Sequence, residues 1–294
     1  MGKRDFGREL WDRMCGFVET DDGLPFTSLG PWTADKLFHV CHYVALTTQA
    51  IAGNRQYFSA LNYIDLFCGN GVCVVDRFDK LQRFPGSGLI AAGCEKPFDH
   101  LFVSDSEIQN VRALESRITR LGTKSHLHTD VGDANDVVQR VVPELKARSL
   151  SIAFLDPFSL SIDFKTVQLL TANNRVDLII LFPDAMDIVR NVDEYYYPRK
   201  SMKLDRVIGE EYDWRTEYDK LQNRDGAKVR EFFVNLYLKR IKSLGHTFVG
   251  TKEIRTKTGP IYKLVYACEN DLGLKFWNIA GNVDLDGTRS LFAP

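Results

Sequence analysis

From residue 62 onward the chain alternates short apolar runs with longer amphipathic ones. The apolar runs at 63–67, 100–104, 126–129, 151–155 and 176–182 read as strands. Several are apolar throughout, as strands buried on both faces are. Between them, 87–94, 108–121, 136–147 and 164–172 carry apolar residues at helical spacing. Alternation of this kind predicts a parallel sheet with helices on both faces and right-handed crossovers. Upstream, residues 32–52 form a long helical pattern. Thr33 is placed to cap it, and Leu37, Val40, Cys41, Val44, Ala45 and Thr48 lie on one face. Residues 1–31 read as an N-terminal arm with one short helix near 8–18, and 32–294 as the main domain. The rhythm breaks at about 185–225, a charged and aromatic insertion, and resumes as an amphipathic helix over 227–243. Two closing strands, 247–254 and 261–268, flank Gly259-Pro260, which predicts an antiparallel pair turning there.

Composition changes this picture little. The 294 residues are 44% hydrophobic and 26% charged with a net charge of −1, an ordinary globular balance that leaves room for a local basic face. No apolar run reaches the ~20 residues of a membrane span. The charged N-terminus has no apolar signal core behind it, and the six cysteines are scattered without a CxxC pair. The expectation is a cytoplasmic protein with reduced thiols and no metal site. His39 and His42 stand three apart on one helix, without a clustered carboxylate to complete a ligand set.

The chemistry sits at the predicted strand ends. After the first strand comes Asp65-Leu66-Phe67-Cys68-Gly69-Asn70-Gly71. Its glycines let a ligand approach the backbone, and the strand ends of an open α/β sheet are where ligands bind. Asp65 repels a pyrophosphate but attracts an ammonium, so S-adenosylmethionine fits better than a dinucleotide. Asp65, Phe67, Gly69 and Gly71 are therefore candidates for holding this cofactor. The connection over 72–86 reads as a long loop. The second strand ends in Asp105-Ser106-Glu107, where Asp105, or else Glu107, can accept from both ribose hydroxyls or cap the following helix. After the third strand, Asp133 and Ala134 offer an acceptor and a backbone donor for adenine, or again a helix cap.

The fourth strand ends in Asp156-Pro157-Phe158. An exocyclic amine on a nucleobase is a poor nucleophile because its lone pair is delocalised. A carboxylate and a carbonyl accepting its hydrogens would aim that lone pair at a methyl donor. Pro157 adds no competing N–H, and Phe158 can stack on the base. Past the fifth strand, Arg190, Asn191 and Tyr196 are candidate substrate contacts, and the basic, aromatic stretch around 193–206 could meet a single strand of nucleic acid.

Asp-Leu-Phe-x-Gly-x-Gly with Asp-Pro-Phe resembles the class I S-adenosylmethionine-dependent methyltransferases of the amino-directed kind. The order Gly30-Pro31-Trp32-Thr33…Lys36, Tyr63 to Phe67, Gly86-Ser87, Phe154 to Phe158, Leu181-Phe-Pro and Asp286 to Phe292 is more specifically similar to the bacterial three-Cys-motif partner proteins. The resemblance implies a Rossmann-like sheet of five parallel strands plus an antiparallel closing pair, S-adenosylmethionine as cofactor, and a partner whose three cysteines suggest an iron–sulfur cluster. It leaves the substrate open. Two positions depart from it: Cys68 where alanine is common and Ser159 where glycine is common. Cytosine-C5 methyltransferases share the glycine turn but need a nucleophilic cysteine where this chain has Asp156. Two other readings remain: a non-catalytic partner protein with the same fold, and a nuclease-like role for the scattered acids, for which no acid–acid–lysine cluster on adjacent strands is apparent.

Overall fold

A computed structural model describes residues 4–77 and 80–285. The stretch Asp286 to Phe292, one piece of the family resemblance, lies outside the described residues. The chain begins with α1 (Phe6–Val18), β1 (Thr27–Leu29) and α2 (Trp32–Ala52). Strand β2 (Leu61–Asp65) follows, then a hairpin of β3 (Val72–Arg77) and β4 (Lys80–Pro85), and α3 (Ser87–Ala92). Alternation continues through β5 (His100–Asp105), α4 (Ile108–Leu121), β6 (His126–Val131), α5 (Ala134–Val141), β7 (Leu150–Leu155), α6 (Phe164–Thr171) and β8 (Arg175–Phe182). A helical insertion carries α7 (Val189–Asn191) between two wide single turns, then α8 (Lys203–Ile208) and α9 (Trp214–Tyr218). The chain closes with α10 (Gly226–Lys242), β9 (Phe248–Thr256), β10 (Gly259–Cys268) and α11 (Asp271–Gly281).

Seven strands make the main sheet in the order β6-β5-β2-β7-β8-β10-β9. β6, β5, β2, β7 and β8 are parallel, and β10 runs antiparallel to both β8 and β9. This is the Rossmann-like class I methyltransferase sheet. The order reverses at β2, whose neighbours are β5 and β7, so the first strand end lies at a topological switch point, where open α/β sheets bind ligands. One core packs α1, α2, α3 and α11 on one face, and a second packs α5, α6, α8, α9 and α10 on the other.

Several local expectations change. The segment 72–86 is not a loop but the β3/β4 hairpin, which pairs with β1 in a second, three-stranded sheet. Residue type did not reveal it, because β4 exposes Leu81 beside Lys80 and half-buries the polar Gln82 and Arg83. The short helix of the N-terminal arm begins at Phe6 and buries Leu10, Trp11, Met14 and Val18. Trp11 lies edge-on to Phe38 of α2 at 5.4 Å and stacks on Phe84 of β4 at 5.7 Å, so this helix belongs to the core. Thr33 does not cap α2. Pro31 holds that position without a side-chain bond, and the Thr33 N–H donates to Gly30 O at 3.0 Å. The closing hairpin turns at Lys257-Thr258. Gly259 already pairs with Thr256, and the register slips past Pro260, which cannot donate to the ladder. Helix α11 went unforeseen; its Trp277 stacks on Tyr266 at 4.9 Å and covers α2 through His39 at 4.2 Å. Among the described residues no helix is long and apolar enough to cross a membrane.

Candidate functional site

The cofactor candidates converge on the carboxyl ends of β2, β5 and β6. Asp65 ends β2 with 0% exposure. Its Oδ1 accepts from Phe67 N–H at 3.2 Å and its Oδ2 from Ser87 Oγ at 2.5 Å. Burial pushes its pKa up to about 7, against the pull of those two bonds, with Asp156 and Asp105 adding like-charge repulsion. Asp65 thus orders the turn from within. Gly69 and Gly71 take φ +57° and +89°, conformations that disfavour a side chain. A Cβ at Gly71 would meet Leu114 at 2.8 Å, whereas one at Gly69 would point into open space. The Gly86 N–H returns to Gly71 O at 2.8 Å, so the hairpin docks back on the turn before α3 starts.

Asp105 bridges two strand ends. Its Oδ2 accepts from Gly69 N–H at 3.1 Å, and its Oδ1 from Glu107 N–H and Asn110 Nδ2, both at 2.9 Å. Asp133 caps α5 by accepting from Asn135 N–H at 2.8 Å, and Ala134 is buried beside it.

The acceptor candidates lie one strand over, past β7. Asp156 Oδ2 accepts from the Nζ of Lys36, which α2 carries in its first turn. The two side chains are 22% and 7% exposed. Burial disfavours the Lys36 charge, but Asp156, with Tyr262 and Cys73 nearby, outweighs it and holds the ammonium above its ordinary pKa. The Tyr262 ring lies 5.9 Å from Nζ, and its buried hydroxyl has no hydrogen-bond partner among the described residues. Phe158 is 80% exposed beside Asp156-Pro157. Ser159 adopts φ +59°, a backbone that explains the usual glycine, and its hydroxyl donates to Asp187.

Asp187 also accepts from Asn191 Nδ2 at 2.9 Å and from the Tyr196 hydroxyl. Asn191 and Tyr196 therefore aim their polar atoms at Asp187 and brace the Asp156–Ser159 loop, while Arg190, just before them in the chain, is exposed. Next to this brace, buried Asp184 follows β8 and accepts from Arg230 Nε at 2.9 Å; Arg230 also reaches Glu253. Sequence reasoning gave no role to Lys36, Asp184, Asp187 or Tyr262. Lys36 did stand in the Gly30-to-Lys36 stretch of the resemblance; the others carried no signal of their own.

No protein-family model and no curated protein matches the chain. Similar solved structures include the Legionella pneumophila protein LPL1258, with 11% identity and TM-score 0.47 over 81% of this chain and 88% of that one. An O-methyltransferase from Bacillus cereus in complex with SAH gives 11% identity and TM-score 0.41 over 91% and 92%. Trm1 from Pyrococcus horikoshii with S-adenosyl-L-methionine gives 10% and 0.42 over 82% and 57%. Likeness this distant assigns no chemistry. The fold rests on the strand order of this chain.

Proposed function

We propose that the protein is an S-adenosylmethionine-dependent methyltransferase acting on a nitrogen of a nucleobase or nucleotide-like acceptor. One observation carries the reading: the left-handed glycine turn and the Asp156-Pro157-Phe158 loop stand at the carboxyl ends of adjacent parallel strands, β2 and β7, at the switch point of the sheet. The residues fit the cofactor. Open space over Gly69 next to the Asp105 carboxylate is a cradle that a side chain at Gly69 would fill. Asp105 would take the ribose hydroxyls, and Asp133 with Ala134 the adenine. Asp65, sealed beneath the turn, would act through the backbone it holds. When bound, S-adenosylmethionine supplies an electrophilic methyl group. Asp156 and the carbonyl beside it would accept the amine hydrogens of the acceptor, with Phe158 stacked on its ring.

A second reading keeps the fold and drops the chemistry: a methyltransferase-like partner of a three-Cys-motif protein. On its side is the Lys36 ammonium, which already engages Asp156 where an acceptor amine would sit.

Calorimetry with S-adenosylmethionine and its demethylated product tests the cofactor; the absence of heat with both overturns the proposal. Labelled cofactor mixed with fractionated nucleic acids, proteins and small molecules then finds the acceptor. With that acceptor, Asp156→Ala is expected to lower methyl transfer about 10²–10³-fold with cofactor affinity unchanged. Partner-dependent activity that survives Asp156→Ala selects the second reading.

A further inference from the structure

β5 and β6, whose carboxyl ends lead to the ribose and adenine candidates, carry histidines at their amino ends. His100 opens β5, and His126 opens β6 directly opposite it. His128 follows two residues on, so all three imidazoles lie on one face of the sheet. His100 Nδ1 and His128 Nε2 are 3.0 Å apart and share a hydrogen between the strands. The His100 ring stacks on His126 at 5.5 Å, and the His128 ring on Phe102 at 4.4 Å. β6 is the outermost strand of the sheet, with β5 as its neighbour there, so these contacts hold an edge.

A bond between two imidazoles needs one nitrogen that carries a hydrogen and one with a free lone pair. One added proton leaves that arrangement intact, because a charged ring still donates to a neutral one. A second proton fills the accepting lone pair, turns the bond into two opposed N–H groups and sets like charges on neighbouring strands. Burial first holds both His100 and His128 below the ordinary histidine pKa. His100 faces His128, Lys146 and His126, all of which oppose its protonation. His128 faces Glu144, which favours a charge, and His126, which opposes it. The native state thus binds fewer protons than the unfolded one as pH falls below about 6.5, and these groups cost stability there.

We infer that the His100–His128 pair is a proton-sensitive clasp at the amino ends of β5 and β6, which keeps Asp105, Asp133 and Ala134 in place for the nucleoside half of the cofactor and loosens when both rings are charged. The clasp rests on the cofactor reading above and adds a control to that site. Its route through the fold is short. The β5/β6 ladder runs without a break from His100 and His126 to Asp105 and Val131. The Gly132 N–H then donates to Asp105 O at 3.1 Å, just before Asp133. β6 is six residues long, so a fault in its first pair is close to its last.

Calorimetric titration with S-adenosylhomocysteine from pH 7.5 to 5.0 tests the clasp. A site that must shed one proton to bind loses about tenfold in affinity per pH unit below the pKa involved. The wild type is expected to weaken about tenfold between pH 6.5 and 5.5, and His128→Gln, which keeps a polar partner for His100 without a titrating ring, less than about threefold. Asp65 takes up a proton over the same range, so the difference between the two proteins is the measured quantity. Equal slopes overturn the clasp. Should His128→Gln not fold, NMR of carbon-13-labelled histidine in the wild type decides. The His100 and His128 signals must titrate where affinity falls, and an unchanged charge state across that range overturns the clasp. A wild type that binds no S-adenosylhomocysteine at pH 7.5 instead overturns the methyltransferase reading, which keeps the two failures apart.

Discussion

The cofactor half of the sheet edge and the acceptor half are held by bonds of different reach. At the ends of β2, β5 and β6, a carboxylate closes a turn on the N–H two residues ahead (Asp65 with Phe67, Asp105 with Glu107, Asp133 with Asn135), and the longer ties from Ser87 to Asp65 and from Gly69 to Asp105 are added to turns already closed. At the ends of β7 and β8 the partners come from elsewhere: Lys36 for Asp156, Arg230 for Asp184, Ser159 for Asp187. Local turns form whenever their strands pair. The acceptor half exists only once α2, the insertion and α10 have packed. A fold can thus keep its cofactor turn while its acceptor side is rebuilt by changing distant elements.

Arg117 is the sharpest test of that contrast because it is a long-range tie inside the local half. Fully buried, it donates to both oxygens of Asp22 at 2.7 and 2.8 Å and to Asn70 O, inside the glycine turn, at 2.5 Å. The guanidinium holds the Asp22 carboxyl well below the usual range. Arg117→Met leaves Asp22 to Arg120, which donates to its Oδ2 at 3.0 Å, and frees the turn, and should cost about 3 kcal/mol in denaturant unfolding. A loss below about 1 kcal/mol would mean the turn stands on its local bonds alone.

Next in size is a pH effect. The Asp65 pKa rises to about 7 and that of Asp177, buried under Tyr43 and Tyr266, to about 6, both from burial first. Each folded value lies above the unfolded one of about 3.9, so the native state binds more protons between the two. The stability these groups contribute is complete below about pH 4 and disappears as pH rises through 6 to 7. The slope should reach about −1.4 kcal/mol per pH unit for each group. Urea titrations from pH 4 to 8 should show it, with Asp177→Asn flattening the window up to about pH 6 and Asp65→Asn the window up to about pH 7. Unchanged slopes in both variants would show that neither carboxyl is protonated in the native state.

The same difference in reach explains what could be read from the chain. All five parallel strands and the helices between them were legible, because apolar runs and helical spacing are local properties. So were Gly69 and Gly71, whose residue type reports a backbone conformation directly. The β3/β4 hairpin was not, since β4 exposes Leu81 beside Lys80 and half-buries the polar Gln82 and Arg83, so its burial follows no alternation that residue type reveals. Asp187 was invisible for a different reason. Nothing in Asp-Ala-Met-Asp tells a reader that Ser159, Asn191 and Tyr196 will meet on one carboxylate, because that meeting is a product of packing.

Phe158 gives the smallest effect on the fold and the cleanest separation of the two halves. Its ring is 80% exposed and supports no core, so Phe158→Ala should leave unfolding free energy within about 0.5 kcal/mol of the wild type. If the ring stacks on an acceptor base, the substitution should cost about 1 kcal/mol, roughly fivefold, in affinity for a single-stranded nucleic-acid probe. Cofactor-product affinity should not move, since Phe158 makes no hydrogen bond to the glycine turn among the described residues and the Asp156 charge that bears on Asp65 is unchanged. A parallel loss of both affinities would couple the halves through β2 and β7 and remove the distinction between them. Loss of neither would leave the exposed ring without a ligand of this kind and turn attention to a protein surface as its partner.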